Sequence, residues 1–504
     1  MKRTFRITTT RIVGSLAFGS TLLAAGLAQA GPQNAPAAGS ESEAATLQSK
    51  LGSVLGRPGG LTSAVVGSRA EATSFDVQAR REDLEAAAAQ VDQALVAYFP
   101  RLSATGRYTR LSPIDVPSIG NGYVVVTQTP GPVVIDPNQP PPQLFATAFS
   151  FPVLLNQTIL QATLNVPLSD YLLRIPQGYA AATKNQNAAR FAESAARLKS
   201  TTDAKAVYYS WVRAKLQEVV AEQALLQARA HLVDAQHAFD AGTVSKADVL
   251  RIESQVAGSR LLQERAKSLT EITETQIRVA MHDPAPAAYE VGESMNDDVP
   301  KVQGEDNLAA LWAEAGSARL ELKSLEQSSD GLRGQAKVAR AGNYPRIDAF
   351  GDIIYANPNQ RIFPQQDAFQ ATWDVGVQLT YSPNDIGLAG ASSRNLEARA
   401  ASLAAQKQAL EDGIRIEVTQ TRNALREALA AVESTTQGLA AAEESYRVRR
   451  SLFRNGRATA VELTDAETDL TRSRLESINA RVDVRVALVR LEHALGRDVG
   501  RGNR

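Results

Sequence analysis

The sequence contains no cysteine. Disulfides and thiolate-held metal sites are therefore excluded, and so is membrane attachment through a lipid-modified cysteine. Past the first 30 residues no run of eighteen apolar residues occurs, so no ordinary membrane-spanning helix is expected. Proline is missing between Pro176 and Pro284 and again after Pro383, and glycine is sparse in both stretches. Histidine occurs four times, as His231, His237, His282 and His493. His231 and His237 are six apart and do not share a helical face as an i, i+4 metal pair would, so the histidines are expected to be solvated helix residues. There is no Gly-rich phosphate loop, no G-x-S-x-G elbow and no H-E-x-x-H. No catalytic residue, metal or cofactor is expected. The formal charge is zero, which makes no case for nucleic acid.

The chain begins with four cations, Lys2, Arg3, Arg6 and Arg11, then an apolar stretch to about Leu27 and Ala28-Gln29-Ala30. That is the layout of a cleavable secretory signal over residues 1–30. Its removal would leave the rest at about −4. Residues 31–60 read as a flexible lead-in.

The remainder repeats itself. Phe239-Asp-Ala-Gly242 with the residues to Asp248 returns as Phe453-Arg-Asn-Gly456 with the residues to Glu462, an offset of about 214. Phe99-Pro-Arg-Leu102 returns as Tyr344-Pro-Arg-Ile347, about 245 on. A unit of that size is too long for a solenoid and reads as a duplicated half-molecule. The first half spans 61–285, a linker 286–304, the second half 305–496 and a tail 497–504.

Each half reads helix, strand, loop, strand, long helix, turn, helix. In the first half the strands fall at 98–112 and 156–169 around a loop at 113–148. A long helix at 177–240, the turn at Gly242 and a helix at 245–281 follow. In the second half a helix at 305–342 precedes strands at 344–356 and 369–382. A long helix at 384–455, the turn at Gly456 and a helix at 459–495 complete it. The strands alternate. Trp373, Val375, Val377, Leu379 and Tyr381 are interleaved with Asp374, Gly376, Gln378 and Thr380. One face therefore meets an apolar medium and the other meets water. Tyr98, Phe99, Tyr344, Trp373 and Tyr381 lie near strand ends, where an aromatic belt would sit at a bilayer interface. Four strands cannot close alone, and two edges would stay open.

A helix over 177–240 would be about 95 Å long, which belongs to a coiled coil or a tube wall rather than a globule. The helix after each turn shows a 3,4 seam: Leu463, Ala466, Leu470, Ser473, Ser477, Ala480, Val484, Ala487 and Leu491, and earlier Val249, Ile252, Val256, Ser259, Ala266 and Ile277. Such spacing imposes left-handed supercoiling. The fold class is mainly α with a small β part.

In order, duplication and spacing, the chain resembles the TolC family of outer-membrane efflux proteins from about Leu61 to Arg497. The motifs are Tyr98-Phe-Pro-Arg101, its echo Asn343-Tyr-Pro-Arg346 and the two Phe-x-x-Gly turns. The sequence departs from the family in a longer first inter-strand loop and in Arg426 and Glu433, charges on the presumed seam of the second long helix. The resemblance implies a homotrimer whose three sets of four strands form one twelve-stranded barrel in outer-membrane lipid. The helices would prolong it as a coiled-coil barrel in the periplasm. It implies a passive exit duct for tripartite efflux or type I secretion, opened by a periplasmic adaptor (a membrane fusion protein) and an inner-membrane transporter. By the same resemblance Gly242, Thr243, Val244, Gly456, Arg457 and Ala458 would form the tips that an adaptor touches. Glu462 and Asp465 would form an acidic ring at the closed tunnel entrance.

Blander explanations stand beside these. The glycines supply positive φ at a helix–helix turn. Thr459 to Glu462 is a capping box, which accounts for Glu462 without a pore and for Asp465 less well. The alternative function is a periplasmic coiled-coil structural or adaptor-like protein whose strands form a soluble β domain.

Overall fold

The computed structural model describes residues 47, 49–113, 138, 153–284, 288–295 and 306–497. The expected signal, most of the lead-in, nearly all of the 113–148 loop and residues 498–504 lie outside the described residues. In chain order the elements are α1 (Ser63–Thr73), α2 (Phe75–Val96), β1 (Arg101–Arg110), β2 (Asn156–Val166), the single turn α3 (Asp170–Leu173), α4 (Ile175–Asp240), α5 (Lys246–Met281), α6 (Leu308–Ala318), α7 (Leu320–Arg340), β3 (Arg346–Asn357), β4 (Gln370–Thr380), α8 (Pro383–Arg454) and α9 (Ala460–Ala494).

The proline-poor stretches supply the long arms. Pro176 and Pro383 sit in the first turns of α4 and α8, where a missing N–H breaks no helical bond. With 66 and 72 residues, these helices run about 100 and 110 Å. Each folds back through a tight turn onto its shorter partner, α5 or α9. The α9 helix also lies against α4, where Gln217 Nε2 donates to Asn479 Oδ1 at 2.8 Å and Arg213 pairs with Asp483.

The seams bury mostly as spaced. Along α9, Leu463, Ala466, Leu470, Ser477, Ala480, Val484, Ala487 and Leu491 are all buried. At the Ser473 step the neighbouring Arg474 turns inward instead and donates to Gln227 at 3.4 Å. Arg426 and Glu433, expected on the α8 seam, are exposed. The packed line of α8 runs through Ile414, Val418, Leu425 and Ala428, so Leu425 occupies the seam and its neighbour Arg426 faces solvent.

Two helices expected to be continuous are broken. Ser74 separates α1 from α2 and caps the second, accepting from Val77 N–H at 3.4 Å. Arg319 separates α6 from α7 in an extended conformation (φ −59°, ψ 121°). Its guanidinium is buried and meets Glu321 and Glu417, each at 3.1 Å. It also donates to the carbonyls of His493 and Ala494 at 3.4 Å, satisfying the end of α9, where backbone acceptors would otherwise be free.

The lead-in and the linker are partly ordered core, contrary to their polar appearance. Residues 49–54 are helical. Leu61 and Val291 form a parallel bridge, and Val291 and Met295 join Val66, Tyr208, Trp211, Val212 and Met281 in one cluster. This is the aromatic-rich part of the interior.

The strands form one antiparallel meander, β1-β2-β3-β4. Register places Leu102 opposite Leu164, Leu164 opposite Gly351 and Gly351 opposite Val375. Since alternate residues share a face, one face carries Leu102, Leu160, Leu164, Ile353, Trp373 and Val375 among apolar neighbours. The other carries Ser103, Gln161, Thr163, Asp352, Asp374 and Gln378. Among the described residues β1 and β4 are edge strands, each paired on one side only.

Candidate functional site

The tips are built by local rules. Phe239 and Phe453 end their helices, and Gly242 (φ +74°) and Gly456 (φ +68°) take the left-handed conformation that reverses the chain. Thr243 N–H donates to Ala238 O at 2.9 Å and Arg457 N–H to Leu452 O at 2.8 Å, closing each helix end in the manner usual for a C-terminal glycine. A Cβ at either glycine would meet nothing within 4 Å, so the backbone angle alone requires glycine there.

Three residues after each glycine the returning helix begins with a reciprocal cap. Ser245 Oγ accepts from Asp248 N–H at 3.2 Å, and the Asp248 carboxylate accepts from Ser245 N–H at 3.1 Å. In the second tip Thr459 and Glu462 do the same, at 3.3 and 2.9 Å. The Thr459 backbone N–H, with Arg449 beside it at 3.1 Å, holds the Glu462 carboxyl below the usual carboxylate range. Asp465, one turn on, is exposed, and among the described residues nothing holds it by hydrogen bond or ion pair.

The two turns, far apart in sequence, share one cleft of about 640 Å³. Gly242, Thr243 and Val244 line one side and Gly456, Arg457 and Ala458 the other. Thr243 and Arg457 are exposed, while Val244 and Ala458 are half-buried on a cluster of Phe453, Leu463, Tyr446 and Ile252. The tip therefore offers a packed apolar floor with an open, polar rim.

Behind this cluster lies a pair that sequence reasoning missed. His231, expected to be solvated, is 2 % exposed, and its Nε2 lies 2.8 Å from the Tyr446 hydroxyl. Burial, helped by Arg450, lowers its pKa to about 4. The signal was available: Ala221, Ala224, Ala228, His231 and Ala235 follow a 3,4 spacing, and all are buried. His493 is half-buried, and its pKa is lowered by burial and then by Arg319.

The sheet is the second region with a functional geometry. Along β4, Trp373, Val375, Val377 and Leu379 are 73, 72, 69 and 65 % exposed. Leu102, Ile353 and Leu164 extend the same uncovered face. A soluble chain rarely leaves so continuous an apolar area open. Among the described residues no helix is long and apolar enough to cross a membrane, and no group of three or more His, Cys, Asp or Glu side chains could hold a metal ion.

A sheet with one apolar face, two edges unpaired among the described residues and long helices leading from it suits a place in an outer membrane. Residues 311–497 match the family model described as outer membrane efflux protein, so that stretch of the second half carries that family's domain. No curated protein matches the sequence. Solved structures match the fold. The CusC transmembrane channel protein is 15 % identical with a TM-score of 0.68, the match covering 86 % of this chain and 92 % of that one. The Campylobacter jejuni CmeC outer membrane channel is 14 % identical at 0.67, over 87 % and 86 %. The open state of the Neisseria gonorrhoeae MtrE outer membrane channel is 14 % identical at 0.67, over 88 % and 90 %.

Proposed function

We propose that this chain is the exit duct of a tripartite efflux or type I secretion system. Three copies would close their sheets into one twelve-stranded barrel in outer-membrane lipid, and their helices would prolong it across the periplasm. The observation that carries the proposal is the meander's apolar face together with two edges that are unpaired among the described residues. Only closure removes edges in lipid. The strands alternate in direction, so β4 of one copy would meet β1 of the next antiparallel, as the rest of the sheet does.

The duct would be passive. A periplasmic adaptor would dock at the cleft between the Gly242 and Gly456 turns, and an inner-membrane pump would supply the energy. Glu462 is engaged by its cap and by Arg449, whereas Asp465 is free. The gating role therefore falls chiefly to Asp465. Three copies would bring these carboxylates toward one axis, where they attract cations.

The absence of cysteine makes the test direct. Single cysteines placed in pairs across β1 and β4 should give disulfide-linked trimers from outer-membrane fractions, and Thr243→Cys or Arg457→Cys should capture the adaptor. A chain recovered as a soluble periplasmic monomer, with no β1–β4 cross-link at any pair, would end this proposal.

A further inference from the structure

The β3–β4 loop does not point away from the sheet. Asn359 is 3 % exposed; its Nδ2 donates to Gln370 O at 3.0 Å and Thr372 Oγ1 at 3.1 Å. Its Oδ1 accepts from Arg361 N–H at 3.0 Å. Gln360 Nε2 donates to Gln157 Oε1 at 3.4 Å, and the Arg361 guanidinium meets Asp374 Oδ1 at 2.9 Å. The three side-chain partners, Gln157, Thr372 and Asp374, all lie on the polar face. Asp374 is four residues inside β4, about 13 Å from its outer end, so the loop folds back over that face.

What Arg361 reaches is an electrostatic conflict. Register sets Ser103, Thr163, Asp352 and Asp374 in one row across the sheet. Like charges directly opposite on neighbouring strands repel. Asp352 is relieved by Gln161 at 2.9 Å and by Thr163. Asp374 is relieved by Arg361, and that cation comes from the loop rather than from a strand. The same contact therefore offsets one of the pair's two charges and helps to hold the loop down beside Asn359 and Gln360.

We propose that Arg361 is a strap and a specificity-determining residue of the barrel: it pins the β3–β4 loop across the outer mouth and offsets a carboxylate ring that favours cationic permeants. This rests on the duct proposed above, in which the polar face lines the bore. Twelve strands spaced about 4.8 Å apart and tilted about 40° enclose a backbone diameter of about 24 Å. Three loops folded inward cover a large part of such an opening. At one level the bore would carry six carboxylates from Asp352 and Asp374 and three Arg361 guanidiniums. Removing the guanidiniums loosens the loops, which Asn359 and Gln360 still hold in part, and leaves the acids uncompensated, which focuses a cation-attracting field.

The test uses the full-length protein in cells. Gln378→Cys places a thiol on the polar face, four residues to the periplasmic side of Asp374. A membrane-impermeant maleimide too bulky for general porins is added from outside. Labelling of Gln378→Cys should be faster with Arg361→Ala than without it. The charge swap Arg361→Asp with Asp374→Arg should return it to the slow rate. In planar bilayers under a KCl gradient, purified Arg361→Ala should shift the reversal potential toward cation selectivity, and Asp374→Asn should shift it the other way. Equal labelling rates in assembled trimers, including no labelling in either, would overturn the strap. An unmoved reversal potential would overturn the counter-ion role. Should Arg361→Ala fail to assemble, Asp374→Asn breaks the same contact and reads the loop by the same labelling. A parent protein that forms no trimer and no channel would sink the duct instead, a result separable from both.

Discussion

Val375→Arg is the most direct challenge to the lipid-facing assignment. β4 spans Gln370–Thr380, a rise of about 34 Å, or about 26 Å of membrane height at a tilt near 40°. That matches the roughly 25 Å apolar band of outer-membrane barrels. Val375 is the middle residue of the strand, and 72 % of it is uncovered in the single chain. An arginine on the lipid face at the midplane costs about 2–4 kcal/mol. Three copies would make that roughly 6–12 kcal/mol per trimer by the same figure, comparable with the whole stability of a typical domain. Gln378→Arg lies three residues away on the opposite face and should cost no more than about 0.5 kcal/mol, as surface changes usually do. The assay is the fraction of heat-resistant trimer in outer-membrane extracts, followed by urea unfolding in liposomes. Val375→Arg should lose most of its trimer, while Gln378→Arg should keep it. Equal assembly of the two variants would refute the assignment of faces.

Two further outcomes concern the tip. Gly456→Ala forces a β-carbon into a left-handed conformation at φ +68° with no steric clash. It should destabilise the tip by about 1–2 kcal/mol in hydrogen exchange of residues 450–465, and Gly456→Asn should cost less. His231 has a folded pKa of about 4, below its ordinary value of 6.5. The unfolded chain therefore takes up the proton first, and stability is lost as pH falls from about 6.5 toward 4, by an amount of order 3 kcal/mol. Urea titrations between pH 7 and pH 4 should show a slope that His231→Gln removes.

What could be read from sequence was whatever leaves a periodic or conformational mark. The Trp373 to Tyr381 alternation was legible because each pleat side meets a different solvent, and that constrains every residue. Gly242 and Gly456 were legible because a positive φ favours one residue type. The breaks at Ser74 and Arg319 were not. Ser74 sits between helix-forming stretches, and Arg319 breaks its helix to reach carbonyls at the end of α9, 174 residues away. The Leu61–Val291 bridge and the burial of Met295 are likewise non-local pairings, which composition does not record. The charge pattern of α8 was misjudged by one position, since a heptad drifts against 3.6 residues per turn over so long a helix. The candidate tip was legible residue by residue, but not the shared cleft, which exists only once two hairpins lie side by side. The inward course of Asn359 to Arg361 had no sequence signal, because an arginine in a proline-flanked loop looks like any solvated charge.

The two long helices differ in how completely one chain satisfies them, and that difference bears on assembly. In α4, 24 of 66 residues are buried, among them Trp211, Tyr208 and Val212. In α8 only 10 of 72 are. Leu388, Ile416, Leu429 and Val448 on α8 remain exposed, as do Leu261, Ile272 and Val279 on α5. A helix of that length cannot be held by propensity alone and needs tertiary contact along its apolar positions. The helical layer therefore lacks a neighbour, just as the sheet lacks one at β1 and β4. Two layers of different chemistry are incomplete in the same chain, one for want of packing and the other for want of hydrogen bonds. A second and third copy would supply both at once, whereas a soluble partner covering the helices would still leave the strand edges open. Closure with further copies of the chain, as in the trimer proposed above, is thus the more economical explanation of both deficits.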